Sequence, residues 1–315
     1  MTRTAEELLR AFQRQERQFV ERRFPLQFTS EVPALRELYH QAKGLRWNPE
    51  TDVPWARFDS ARLPESLREA ARLTWSRRAW GTYPGIAENT ALLLRLCLES
   101  GESQMDAKLF LSLRPAEEAK HLEACFTLAE RLGGYVPDPG DEAVALASNH
   151  AFAQMALDPA VRPEVTVAAL GCLDDQLDLD LHVSHLQRAT DETVRAVLRL
   201  MATDKARHAL FAWVWLGARL GGLDAAGRRA VGEAVREMLE QVILQGYRNT
   251  WLLPDSPGRR RLMEAEAAAA GAGLGASTVE QEKSVLRATV GQVRERLRQW
   301  DVVVPVATHP ELGRL

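Results

Sequence analysis

The sequence predicts an all-α protein. Nearly every patterned segment repeats its apolar residues three and four positions apart, the period of a helix with one buried stripe. Runs of alternating β-branched residues are almost missing, Val302 to Val306 being the single short candidate strand. Prolines fall between the patterned segments or in their first turns, where the lost N–H has no helical partner anyway.

The chain opens with an amphipathic segment, Ala5–Phe24, that lacks the apolar run of a secretory signal. A second helix is expected over Ser30–Lys43. Pro54 and Pro64 precede the third, Glu65–Trp80, and Pro84 precedes the fourth, Gly85–Ser100. The fifth, Met105–Leu132, contains Pro115, which predicts a kink or restart just ahead of AEEAKHL. Pro137 and Pro139 separate it from Glu142–Leu157; Pro163–Ala189 and Asp191–Leu220 follow. Asp224–Thr250 ends before Pro254, and Val279–Trp300 is the last helix. Between them Ala265–Ser277, rich in Ala and Gly, reads as a frayed helix end or a flexible link. Residues 1–64 read as an N-terminal helical extension, 65–222 as a four-helix bundle and 223–315 as C-terminal helices packed on it, one domain in all.

Composition narrows the function classes. The 315 residues are 46% apolar, enough for a large core. Forty basic against 43 acidic residues leave a net charge of -3, no field that would gather nucleic acid or an acidic membrane surface. No apolar run reaches the roughly 20 residues that span a bilayer. Cys97, Cys125 and Cys172 lack paired spacing, which fits a reducing compartment and hence the cytoplasm.

An internal repeat carries the chemistry. EEAKHLEACFTLAERLGG (Glu117–Gly134) and DKARHALFAWVWLGARLGG (Asp204–Gly222) share acid, variable residue, Ala, base, His, an apolar stretch and RLGG. Glu118, His121, Leu122 and Cys125 lie on one helical stripe, with Glu117 and Lys120 outside it. Lys205 and His208 lie on the stripe of Val197, Leu198, Met201, Ala212 and Trp215. Asp174 sits among Leu170, Leu177 and Leu181, and Glu88 beside Ala91 and Leu92. Four helices thus aim polar groups at one core, which is costly unless those groups are paired or bind metal. A lone ExxH is commonplace; its recurrence gives the pattern weight. Asp175, Asp178, His182 and His185 form a separate stripe that has the residues to bind a metal but reads first as the wet face of their helix. Cys125 reads as a small buried apolar residue.

This constellation resembles the ferritin-like di-metal carboxylate proteins, in which two helices give one carboxylate each and two give an ExxH pair. EEAKH is similar to the ligand-binding oxidases related to the radical-generating subunit of class I ribonucleotide reductase. DxARH is similar to the second motif of aryl-amine N-oxygenases and acyl-carrier desaturases. Over residues 65–222 the resemblance implies a ferritin-like bundle with Glu88, Glu118, His121, Asp174 and His208 as metal ligands. Glu117 and Asp204 would orient the histidines through their other nitrogens, or Asp204 would itself be a ligand.

Lys205 departs from the family, which has a metal-bridging glutamate there. Three carboxylates and one ammonium sum to a charge that matches one divalent ion instead of two. Three arrangements follow: one ion at Glu88, Glu118 and His121; a metal-free site with Lys205 paired to Glu118 or Asp174; or a shifted site of Asp204 with His208. A metal-free class of the reductase subunit is similar in carrying a lysine in this motif. The resemblance implies a non-haem Fe or Mn oxidase or oxygenase, with one ion or none, acting on a small organic substrate and dioxygen. Lys205 would be its catalytic group. With no GxGxxG loop in the sequence, electrons would come from a separate donor or the substrate. Relatives pair through helices flanking the first motif, which implies a homodimer. The alternative is a degenerate metal-free protein that binds a ligand or uses Lys205 for acid–base chemistry. A reductase small subunit fits less well, because Cys125 stands where the radical tyrosine would be and THPELGRL lacks an acidic, aromatic tail.

Overall fold

The computed structural model describes residues 28–98, 104–148, 152–158 and 160–315. The helix expected over Ala5–Phe24 lies outside them. Helix α1, Pro33–Gly44, starts later than Ser30 because Asp106 takes the preceding residues for itself. Its carboxylate accepts from Ser30 Oγ and from the N–H groups of Glu31 and Val32, each at 2.9 Å. Helices α2, Glu65–Thr82, and α3, Pro84–Leu98, fall close to expectation. The predicted Met105–Leu132 helix is two, α4 (Met105–Leu111) and α5 (Arg114–Arg131), with Pro115 in the first turn of α5. The missing N–H of Pro115 is harmless there, so the chain restarts instead of kinking. Helix α6, Glu142–Ser148, is shorter than expected, and Phe152–Leu157 is 3-10 helix.

The stretch from Pro163 to Arg188 is not a plain α-helix. Between α7 (Pro163–Thr166) and α8 (Gln176–Arg188) residues Val167–Asp175 form a π-helix, each N–H reaching back five residues. Gly171 permits its close packing: a β-carbon there would overlap Ala212. Helix α9, Glu192–Leu220, is capped by Asp191, whose side chain accepts from Val194 N–H at 2.9 Å.

Three expectations beyond α9 are corrected. Helix α10, Ala225–Gln241, stops well short of Thr250, because Gly246 is left-handed (φ 97°) and the flanking segments are 3-10 turns. Tyr247 and Arg248 therefore sit on an irregular connection. The Ala-rich stretch is mostly helix α11, Pro257–Gly271, followed by a short turn. Alanine is the best helix former, and Ala265, Ala269 and Ala270 are buried. After α12, Val279–Arg298, the segment Val302–Val306 forms no strand. The only pairing among the described residues is antiparallel, Thr308–His309 (β1) with Gly313–Arg314 (β2).

Helices α3, α5, α8 with its π-segment, and α9 surround the polar residues singled out above. Two apolar clusters flank that layer. Along α9, Val197, Leu198 and Met201 belong to one cluster and Phe211, Ala212 and Leu216 to the other, with Lys205 and His208 between them. Among the described residues no helix is long and apolar enough to cross a membrane.

Candidate functional site

Helix α5 supplies the centre of the site. Glu118 is buried, and its Oε2 lies 3.2 Å from His121 Nδ1, one turn along the same helix. Its Oε1 lies 3.2 Å from Nδ1 of His208 on α9, too poorly angled to count as a hydrogen bond. Gly85, at the start of α3, makes room: a β-carbon there would come within 3.1 Å of the Glu118 carboxyl carbon. Glu88, one turn further along α3, lines the same small cavity as Glu118 and Lys205. Tyr247 reaches its Oε1 at 3.5 Å.

The outer nitrogens of the two histidines are held in a crossed arrangement. Asp204 on α9 faces Nε2 of His121 on α5 at 3.0 Å, and Glu117 on α5 faces Nε2 of His208 on α9 at 2.7 Å. Arg207 bonds both acids, and Trp47 Nε1 donates to Asp204 at 2.8 Å while its ring stacks on His121. Glu117 is thus buried, not on the outer side of α5 as its stripe position suggested. Burial opposes the charge of Asp204, but hydrogen bonds from His121 and Trp47 hold its carboxyl well below the usual range. Burial likewise pushes the His121 imidazole down, and the Glu118 charge with the Asp204 hydrogen bond more than reverses this, raising it above its ordinary value. Of the expected pair Asp204 and His208, Asp204 faces the other histidine, His121, at 3.0 Å.

Two side-chain cations, Lys205 and Arg248, engage the remaining acids. The Lys205 ammonium binds Asp178 and lies 3.7 Å from Glu118. Burial works against its charge, yet Asp178 and Glu118 raise its pKa above the ordinary lysine value. Asp174 is gripped by Arg248, Nε to Oδ1 at 2.8 Å and Nη2 to Oδ2 at 2.5 Å. Even so, burial lifts the Asp174 carboxyl to about 6. Arg248 also lies 3.6 Å from Asp178. The stripe read as a wet face is instead interior. Asp178 and His182 are buried, Asp175 accepts from Arg114 at 2.8 Å, and His185 meets Arg78 at 3.0 Å.

Comparison with solved structures gives the fold its place. R2-like ligand-binding oxidases align at 15% identity, one carrying an aerobically reconstituted metal cofactor after photoconversion and one a point mutant with an Mn/Fe cofactor. The first has a TM-score of 0.63 over 84% of this chain and 92% of that one; the second has 0.63 over 86% and 98%. The fold is ferritin-like. No family profile matches the sequence, and no curated protein matches it at a significant level.

Ferritin-like proteins of this kind hold two metal ions, and the residues here do not fit two. Lys205 places an ammonium 3.7 Å from Glu118, and Arg248 occupies both oxygens of Asp174. Four carboxylates, Glu88, Glu118, Asp174 and Asp178, face two fixed cations, Lys205 and Arg248, so acids outnumber fixed cations by two around the site. Among the described residues no three His, Cys, Asp or Glu side chains already converge as a metal cage.

Sequence reasoning missed four contributors. Asp178 was visible one turn beyond Asp174, and Arg207 occupies the position of Lys120 in the repeat. Trp47 and Arg248 lie on irregular segments and had no periodic signal. Cys125 behaves as expected: it is buried, and burial pushes its thiol up to about 12.

Behind Asp178 lies a second buried charged group. Glu266 accepts from Thr250 at 2.7 Å and Glu282 from Asn249 at 2.8 Å, and burial, joined at Glu266 by repulsion from Glu282, lifts both carboxyls from 4.5 to about 7. Such a carboxyl keeps its proton in the folded chain after the unfolded chain has lost it, so its contribution falls as pH rises from 4.5 to 7. One carboxyl accounts for on the order of 3 kcal/mol. His182, held down to about 4 by burial, opposes this slope. The difference between parent and Glu282→Gln isolates the carboxyl. In urea unfolding the variant should gain on the parent as pH goes from about 5 to 8. Parallel pH curves would show that Glu282 is not buried beside Glu266.

Proposed function

We propose that this chain is an oxidase or oxygenase of the ferritin-like class that uses a single Fe or Mn ion, held by Glu88, Glu118, His121 and His208. Dioxygen and a small organic molecule are its substrates. One observation carries the reading. His208, with Nε2 held 2.7 Å from Glu117, leaves Nδ1 without a hydrogen bond 3.2 Å from a Glu118 carboxylate oxygen, so a nitrogen and an oxygen stand side by side where one cation could take both. The excess of carboxylates over fixed cations supports the same ion. The R2-like oxidases with Mn/Fe cofactors share the fold, and the reading extends their chemistry to this chain with one ion removed.

Bound there, the ion supplies the one-electron chemistry that dioxygen requires. The chain's own residues do the rest. Asp204, with Trp47 behind it, holds His121 in one orientation. The apolar clusters on either side exclude water. Lys205, between Asp178 and Glu118, keeps a proton beside the site. The organic substrate has a place in an apolar groove of about 620 Å³ walled by Trp80, Tyr83, Leu122 and Phe126, whose rim at Pro84 adjoins Gly85 and therefore Glu118.

Protein produced with both metals supplied should contain roughly one Fe or Mn per chain by elemental analysis, and Glu118→Ala should contain almost none. Two ions per chain, or equal metal in the variant, would overturn the proposal. A second reading, metal-free ligand binding with Lys205 as acid–base group, is favoured by the two cations on Asp174 and Asp178. It is selected if the metal-free protein keeps its activity and Lys205→Met loses it.

A further inference from the structure

We infer that the cavity bounded by α2, α8, the 246–252 segment and the facing ends of α11 and α12 is a second binding site. Its ligand is a small monoanion that carries its own hydroxyl, such as hydrogen carbonate or a short 2-hydroxy acid. The cavity measures about 70 Å³. That is room for about two waters, or one molecule of four or five heavy atoms.

Two residues that line it each carry a buried side-chain nitrogen without a hydrogen bond. Arg78 spends Nη2 on Gly275 O at 2.6 Å and His185 Nδ1 at 3.0 Å, while Nη1 is buried and unbonded. His182, 5% exposed, places Nδ1 2.7 Å from the carbonyl oxygen of Asp178. A carbonyl only accepts, so Nδ1 carries the hydrogen and the neutral ring of this lining residue keeps a bare Nε2 lone pair, which is also buried and unbonded. The site thus offers one free charged donor and one free acceptor.

Its charge asks for more than water. Among the described residues neither Arg77 nor Arg78 has a carboxylate within ion-pair distance. Arg77 is bonded to Thr250 Oγ1 at 3.2 Å and to the carbonyls of Gly246 and Tyr247 at 3.3 and 3.2 Å. Asp178 is already committed to Lys205 and Arg248. Glu266 and Glu282, on the far wall, are shifted toward neutrality, so two guanidiniums face about one negative charge. A monoanion completes the balance. Acetate brings the charge but no hydrogen for His182 Nε2; hydrogen carbonate and glycolate bring both.

The test is calorimetric titration of the full chain after chelator treatment, so that no ion at Glu118 contributes. Sodium glycolate and sodium hydrogen carbonate are compared with acetate and chloride at equal ionic strength. At least one hydroxylated anion should bind saturably, with acetate about tenfold weaker or worse and chloride undetected. Whichever of the two binds more tightly identifies the source. Arg78→Gln should weaken binding about tenfold, and His182→Phe should bring glycolate down to the level of acetate. Equal affinity for glycolate and acetate in the parent protein, no binding of either hydroxylated anion, or undiminished binding in a folded Arg78→Gln variant would each overturn the inference.

Discussion

In metal-free buffer Lys205→Glu should lose about 4 kcal/mol or more of unfolding free energy, and Mn(II) or Fe(II) should return most of it. Lys205 is 4% exposed and is the one ammonium between Asp178 and Glu118. Removing one partner of a buried pair costs about 3–5 kcal/mol, because the other is left charged and unsolvated. Glutamate adds a like charge to that loss, so Lys205→Met should be hurt less. A divalent ion recovers the balance, and at a thousandfold excess over its Kd binding alone contributes about 4 kcal/mol. Urea unfolding with chelator and with Mn(II) measures both halves. An unchanged midpoint would mean that Lys205 does not clamp the acids. A deficit that metal leaves untouched would mean that position 205 does not face an ion site.

Arg248→Met should be the next most damaging substitution, costing about 3–5 kcal/mol. The guanidinium is bidentate on Asp174, also approaches Asp178, and packs over the Tyr247 ring at 4.4 Å. Arg248→Lys keeps the charge but loses the fork, so it should recover only part of the loss. The pair itself is isolated by a double-mutant cycle with Asp174→Asn. The doubly substituted chain should be more stable than the sum of the singles by about 2 kcal/mol, since neither buried charge is then left alone. Additive losses would show that Asp174 and Arg248 do not act as a unit.

How much of this could be read from the sequence depended on periodicity. Glu118, His121, Lys205 and His208 announced themselves because two copies of one motif sit on regular helices, and the structure brings all four together. Glu88 and Asp174 were placed on the right helix faces by their apolar neighbours. Asp178 and His182 were misread because α8 was assigned a solvent side, whereas α11, α12 and the 246–252 segment cover it. No helical pattern could place Arg248 or Trp47, whose positions depend on left-handed Gly246 and on a loop fixed only by tertiary contacts. The π-segment was invisible for a related reason: a chain that reaches back five residues instead of four carries the same apolar residues as an ordinary helix.

The crossed histidine supports reach beyond this molecule. Each copy of the motif owns an imidazole but borrows from the other copy the carboxylate that steadies it, Glu117 for His208 and Asp204 for His121. Neither copy is a self-sufficient cassette. A hybrid gene spliced anywhere between residues 134 and 204 would draw each imidazole and its support from different parents, so partners for such a chimera must be matched at both pairs at once.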